Sequence, residues 1–289
     1  MAEGSPTVRR RELGALLRRL REEQGMSVKQ VTEHLMCSPS KVSRIETGQR
    51  GATLRDVRDL CNFYSVTDEV ERERLMRLAR EGKEQGWWQP YDLPYSTYVG
   101  LEAEARLIRD YQSSVVPGLL QTADYARAGH EGAMPRLSSD VIDQRVQARL
   151  ARQALLTQNA PPKFQAVLDE AVLHRAVGGP RVMSAQLRKI LELSALPNVT
   201  VQVIPYAVGA HPAVESNFNL LQLAPPAPGV IFVEGLVGSI YLEREEDLAR
   251  YDRIFTRLQE ISLNPKDTAD LIAEIRERYE TGLIAHQAG

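Results

Sequence analysis

The feature that most limits how this chain can fold is a pair of helix-start signals set eleven residues apart: Ser27 with Gln30 three residues on, and Ser38 with Pro39 directly after it. A hydroxyl at an N-cap accepts a bond from a backbone N–H that a helix start leaves over, and a Gln three residues later returns the bond. Pro is favoured at a first helical position, where no N–H is needed. Val28, Val31 and Leu35 give the first of these helices an apolar side, and Val42 and Ile45 give one to the second. Met36 and Cys37 are left as a brief turn between them. Upstream, Leu13, Leu16, Leu17 and Leu20 recur at helical spacing over Arg10 to Gln24, and Gly25 supplies a left-handed stop. Downstream, Thr53 opens a helix carrying Leu54, Val57, Leu60 and Tyr64, and Asp68 opens another carrying Val70, Leu75 and Leu78. Residues 1–82 are thus expected to form a mostly α, five-helix domain.

Two short helices joined by a three- to four-residue turn, the second presenting small polar and basic side chains near its start, have the geometry that seats a helix in the major groove of duplex DNA. The charge distribution agrees. The chain carries −2 overall, but residues 1–50 hold ten Lys or Arg against six Asp or Glu, a balance of +4 that leaves −6 for the remaining 239 residues. A basic module ahead of an acidic remainder is the pattern of a DNA-binding domain joined to a domain of another kind.

The run GMSVKQVTEHLMCSPSKVSRIETG resembles the phage-repressor-like (XRE) helix-turn-helix family along its whole length. The resemblance implies that Gln30 and Ser38 anchor backbone phosphates, that Ser40, Lys41, Ser43 and Arg44 face the groove, and that Arg50 reaches flanking phosphates. Side-chain chemistry agrees: Arg44 can bond guanine O6 and N7 together, Lys41 less rigidly, and Ser donates or accepts on any base. Glu46 is expected to pair with an Arg of the same module. Two positions depart from the family pattern, Thr32 where Ala is usual and Met36 where Gly is usual, because that turn needs a left-handed backbone. One such module makes few contacts, so a homodimer on two half-sites of double-stranded DNA is expected, with the amphipathic C-terminal helices as the first place to look for its surface.

A length of 289 residues points to two domains. No run of eighteen apolar residues occurs and the N-terminus lacks a signal-peptide core, so a cytoplasmic protein without membrane contact is expected. Cys37 and Cys61 have neither the spacing nor the neighbours of a disulfide framework or a zinc site, and no cofactor is expected. Over residues 83–100 the composition turns to aromatic residues and Pro, reading as a connector. Trp87, Trp88, Tyr91, Tyr95 and Tyr98 either pack one domain against the other or, in a sharper reading, wall a ligand site. Residues 101–289 read as an α+β effector domain. Helices are expected over Leu101 to Tyr111, over Ser138 to Gln158, and from Glu243 and Lys266. Strands are expected over Val199 to Ile204, Phe218 to Leu223, Val230 to Glu234 and Ser239 to Leu242.

In this region VVPGLLQTADYAR, RLARQALL, VLDEAVLHR, PNVTVQVIPYAVGAH and FVEG, in that order, resemble the domain of unknown function DUF5753 that follows the helix-turn-helix in a set of actinomycete regulators, including WhiJ-like developmental regulators. The resemblance implies an antitoxin-like repressor that responds to a small protein encoded nearby. No nucleophile with a base, phosphate loop or metal constellation stands out: Glu170 and His174 read as a helix-surface pair, and Gly178-Gly179-Pro180 as a turn. An enzyme that uses the helix-turn-helix for targeting is therefore disfavoured. Tyr125, Glu170, His211 and Glu234 are polar groups among apolar segments and, with Trp87 and Trp88, form the candidate pocket for a small molecule or a partner's tail.

Overall fold

The computed structural model describes residues 5–91, 93–133, 137–225, 227 and 229–282. The chain divides into two compact units, residues 1–104 with 223–228, and residues 105–222 with 229–289.

The first unit begins with α1 (Pro6–Glu23), four residues ahead of the expected start because Pro6 occupies its first position after Ser5. Gly25 follows in the left-handed conformation at φ 63°. Then come α2 (Val28–His34), α3 (Pro39–Glu46), α4 (Leu54–Phe63), α5 (Glu69–Glu81) and α6 (Ser96–Glu102). Ser27 and Gln30 form the reciprocal capping box, Thr53 and Asp56 form a second one, and Ser38 and Asp68 cap α3 and α5 through their side chains. Leu13, Leu17, Val31, Val42, Ile45, Val57, Leu60, Tyr64 and Leu75 make one core from the inward faces of all five expected helices. In the aromatic stretch, Trp88 and Tyr98 are buried while Trp87 is 43% exposed. The Trp88 indole lies against Gly86 and Gly100, where added Cβ atoms would meet it at 2.4 and 2.8 Å.

The second unit contains β1 (Leu107–Gln112), α7 (Ala123–Ala133), α8 (Ser139–Gln153), β2 (Lys163–Asp169), the four-residue α9 (Ala171–His174), α10 (Pro180–Ser194), β3 (Val199–Ile204), β4 (Phe218–Gln222), β5 (Val230–Gly235), β6 (Gly238–Leu242), α11 (Glu245–Ile261) and α12 (Pro265–Glu280). The strands form one mixed sheet in the order β3-β2-β1-β4-β5-β6, with β1, β2 and β3 parallel and the rest antiparallel. The unit is α+β as expected. On one face, Tyr111, Val167, Ile204, Phe218 and Ile231 pack with Phe255 and Leu258 of α11. Ile108 and Phe164, at alternate strand positions to these, are likewise fully buried, as are Met183 and Leu187 of α10.

The expected helix over Leu101 to Tyr111 is a correction. Leu101, Ala105 and Ile108 have helical spacing, but α6 ends at Glu102 and Leu107–Gln112 is a central strand of the sheet. Ile108 and Tyr111 are both fully buried, so burial on two faces erases the alternation that would have marked a strand. The expected helix to Gln158 gives way after Gln153 to a single 3-10 turn.

Candidate nucleic-acid interface

Three contacts hold α3 in place. Where α1 crosses it, Gly14 lies so close that a Cβ there would stand 2.3 Å from the Ile45 carbonyl oxygen and 2.6 Å from that of Glu46. Glu46 is doubly bonded by Arg21, Nε to Oε1 at 2.7 Å and Nη2 to Oε2 at 3.0 Å, with both side chains nearly buried. Arg21 Nη1 also donates to the Met26 carbonyl at 2.8 Å, so one guanidinium ties the end of α1, the α1–α2 turn and the end of α3 together. The Glu46 bond holds the Arg21 guanidinium above its ordinary value, and burial beside Glu46 pushes the Tyr64 hydroxyl up. The third contact is Lys41 to Asp56, Nζ to Oδ1 at 2.8 Å. Burial pushes the Asp56 carboxyl up, but its bonds from Lys41 and from the Thr53 backbone and hydroxyl together outweigh that and hold it below the ordinary carboxylate value.

The turn between α2 and α3 keeps the left-handed geometry with Met36, at φ 46°, in the place where glycine is usual. Cys37 N–H bonds the Thr32 carbonyl at 3.0 Å and Met36 N–H that of Glu33 at 3.3 Å, the paired bonds of a Schellman ending. The hydrogen-bonded geometry of the turn therefore survives, and the strain falls on the Met36 backbone.

Gln30, Ser38, Ser40, Ser43, Arg44 and Arg50 are all exposed. The Gln30 amide oxygen is taken by the Ser27 N–H and hydroxyl, both at 2.8 Å, which leaves its NH2 as the group available to an external acceptor. Ser38 and Ser40 hydroxyls stand 3.0 Å apart. Arg44 Nε donates to the Ser40 carbonyl at 3.2 Å, which steers the side chain along the helix. Lys41 differs from these: it is half-buried, and its ammonium is held by Asp56. Sequence reasoning passed over Lys29 and Arg55, in the first turns of α2 and α4, with side chains 84% and 82% exposed and loose intrahelical pairs at 3.9 and 3.6 Å. Basic residues just inside two capped helix starts were the available signal.

The candidate pocket residues are placed differently. Tyr125 is buried and its hydroxyl accepts the Val116 N–H at 3.1 Å, so it braces the VVPGLLQT loop, with burial raising its pKa. Gln186, also buried, holds the same loop through Thr122 N–H and the Leu120 carbonyl. Glu170 and His211 both lie past the carboxyl ends of the parallel strands. Glu170 accepts from the Tyr206 N–H at 2.8 Å and pairs with His174 at 3.2 Å. His211 sits 3.5 Å from the Tyr111 hydroxyl and 3.6 Å from Asp169. Glu234 is exposed near the carboxyl end of β5, three strands from β2, and Trp87 and Trp88 belong to the first unit. A hollow of about 270 Å³ lies among α10, β3 and α12, lined by Leu191, Ala195, Val201, Ala269 and Ile272, and none of the six candidate residues lines it.

The capped pair α2–α3, clamped to α1 and α4 with a polar and basic row left outside, is a helix-turn-helix, the module of DNA-binding regulators. Residues 12–75 match a family described as a helix-turn-helix domain, and residues 95–274 match the domain of unknown function DUF5753. The second match spans more than half of the chain, which belongs to the DUF5753 family. No curated protein and no solved structure matches it. Among the described residues no helix is long and apolar enough to cross a membrane.

Proposed function

We propose that the chain is a transcriptional repressor that reads an operator half-site with α3 and acts as a homodimer. Residues 1–82 form its DNA-binding domain, 83–100 its connector and 101–289 its effector domain. The carrying observation is the exposed row Gln30, Ser38, Ser40, Ser43, Arg44 and Arg50 on a helix pair whose apolar sides, Val31, Val42 and Ile45, pack into the core of the module. Gln30 and Ser38 take phosphates, Arg44 with Ser40 and Ser43 reads base edges, and Arg50 takes a flanking phosphate. Lys41, held by Asp56, sets the α3–α4 angle first and reaches the groove only by giving up that bond.

The effector domain binds a small protein partner, antitoxin-like, and changes DNA affinity through a coupling of about 1 to 3 kcal/mol. A second reading, a small-molecule effector, is favoured by one observation: Glu170, His211, Asp169 and Tyr111 gather at the carboxyl ends of parallel strands, where open sheets commonly bind ligands. Selection of genomic fragments by the purified protein tests the core of the proposal. A recurring two-fold sequence supports it, and fragments recovered no more often than random duplex contradict it.

A further inference from the structure

The sheet ends on β3 at one side and β6 at the other, and the two edges are finished differently. On β3, the Val203 N–H donates to Thr268 Oγ1 at 3.1 Å and the Val203 carbonyl accepts the Leu263 N–H at 2.8 Å. The segment leading into α12 thus covers that edge. On β6, Gly238, Ser239 and Ile240 are exposed. The strand GSIYL contains no Lys, Pro or charged residue, the usual means by which an edge repels a second strand. The hairpin tip is as unusual. Two-residue loops favour Asn-Gly, yet this one is Leu236-Val237, both residues fully exposed, and Ile240 beside it is 57% exposed.

Antiparallel alternation fixes which backbone groups face outward. Gly235 and Gly238 close the loop as a hydrogen-bonded pair, so Ile240 and Leu242 also bond toward β5, and Ser239 turns its N–H and carbonyl to the open side.

We propose that β6 pairs antiparallel with β6 of a second copy of this chain, about a two-fold axis at Ser239, joining the two sheets edge to edge. In this register the two Ser239 residues exchange N–H···O=C bonds. Ile240 of each copy lies beside Gly238 of the other, where a Cβ would meet nothing within 4 Å, so there is room for it. Val237 and Leu236 are carried past Tyr241 and Leu242 of the second copy and are covered. No charge on β6 meets its like, and the contact is isologous, so assembly closes at two. The C-terminal helices, the expected surface, already bury Phe255 and Leu258 of α11 and Ile272 and Ile275 of α12 within the chain. The inference deepens the homodimer proposed above: a monomeric chain would sink both, whereas a dimer that survives changes to β6 would sink this surface alone.

The full chain, Ser239→Pro and Ile240→Lys are compared by sedimentation equilibrium. Pro at an edge position removes an N–H that β5 does not use, so the hairpin stays intact. The wild type is expected to sediment as two chains and both variants as one, with unchanged circular dichroism. Oxidised Ser239→Cys is expected to run as a cross-linked dimer and the wild type, with its two native cysteines, is not, because hydrogen-bonded antiparallel pairs hold Cα atoms about 5.5 Å apart, within disulfide reach. A wild type that sediments as one chain at every concentration, or a dimer that survives both substitutions and gives no Ser239→Cys cross-link, overturns the proposal.

Discussion

The two units are held together in different ways, one by helices alone and the other around a sheet. In the helix-turn-helix module, α2, α3, α4 and α5 each start on a side chain that bonds the backbone two or three residues ahead. In the second unit Thr122, Ser138 and Asn264 start α7, α8 and α12 in the same way, α10 and α11 start without such a bond, and the architecture rests on strands whose partners are far away in sequence, such as Ile108 beside Phe164 and Leu221. The module is specified locally and clamped at a few points. The second unit is specified by pairing and burial at long range, where a defect in one central strand is felt by all its neighbours.

Substitutions can break this contrast. Glu46→Ala leaves Arg21 buried without its partner and should cost the module about 3 to 5 kcal/mol, with Glu46→Gln milder. Hydrogen exchange should show protection lost in α1 to α3 and kept in the sheet. Ile108→Ala, in the middle of the sheet, should cost about 2 to 5 kcal/mol and give the opposite pattern, with β1, β2 and β4 exposed and the module intact. Equal loss in both units from either change would mean that they unfold as one.

Acid should separate the units by pH. His130 is held down to about 4 by burial and by Arg149 and Arg145, so the folded second unit refuses a proton that the unfolded chain takes up near 6.5. Its stability is complete above pH 6.5 and falls as pH drops toward 4. His130→Gln should flatten that slope in a melting-temperature series. The module contains Asp56, whose lowered pKa gives stability that is lost only as pH falls through and below the ordinary carboxylate value. Its acid transition should therefore lie lower, and Asp56→Asn should reduce it.

Smaller effects test the local side. Ser27→Ala should cost about 1 kcal/mol, read as a lower denaturation midpoint of the module. Met36→Gly should gain about 0.5 to 1 kcal/mol, because relief of the left-handed strain exceeds the added freedom of the unfolded chain.

The same contrast explains what the sequence disclosed. Ser27, Gln30, Ser38, Pro39, Thr53 and Asp68 mark helix starts within a few residues, so the module could be read almost element by element. Glu46 could be assigned an Arg partner, but not Arg21 in particular, since 25 residues and a helix crossing at Gly14 separate them. Lys41 looked like a groove-facing base because Asp56 meets it only after α4 has folded back. In the second unit β3 was legible because Val199, Val201 and Val203 alternate with polar residues. β1 and β2 were not: Arg109 and Asp110 stand side by side in β1, and Val167 and Leu168 in β2, which breaks the alternation. Glu170 and His211 could not be brought together from sequence, since strand order sets β2 beside β3 and leaves Glu234 three strands away on β5.

The most direct test is the affinity of wild type and Arg44→Ala for a selected operator and for random duplex, measured across a salt series. The account predicts that Arg44→Ala loses about 1 to 3 kcal/mol on the operator and much less on random DNA, while wild type shows a salt slope of several phosphates. Equal affinity of wild type for both duplexes, or an operator complex indifferent to Arg44, would contradict it.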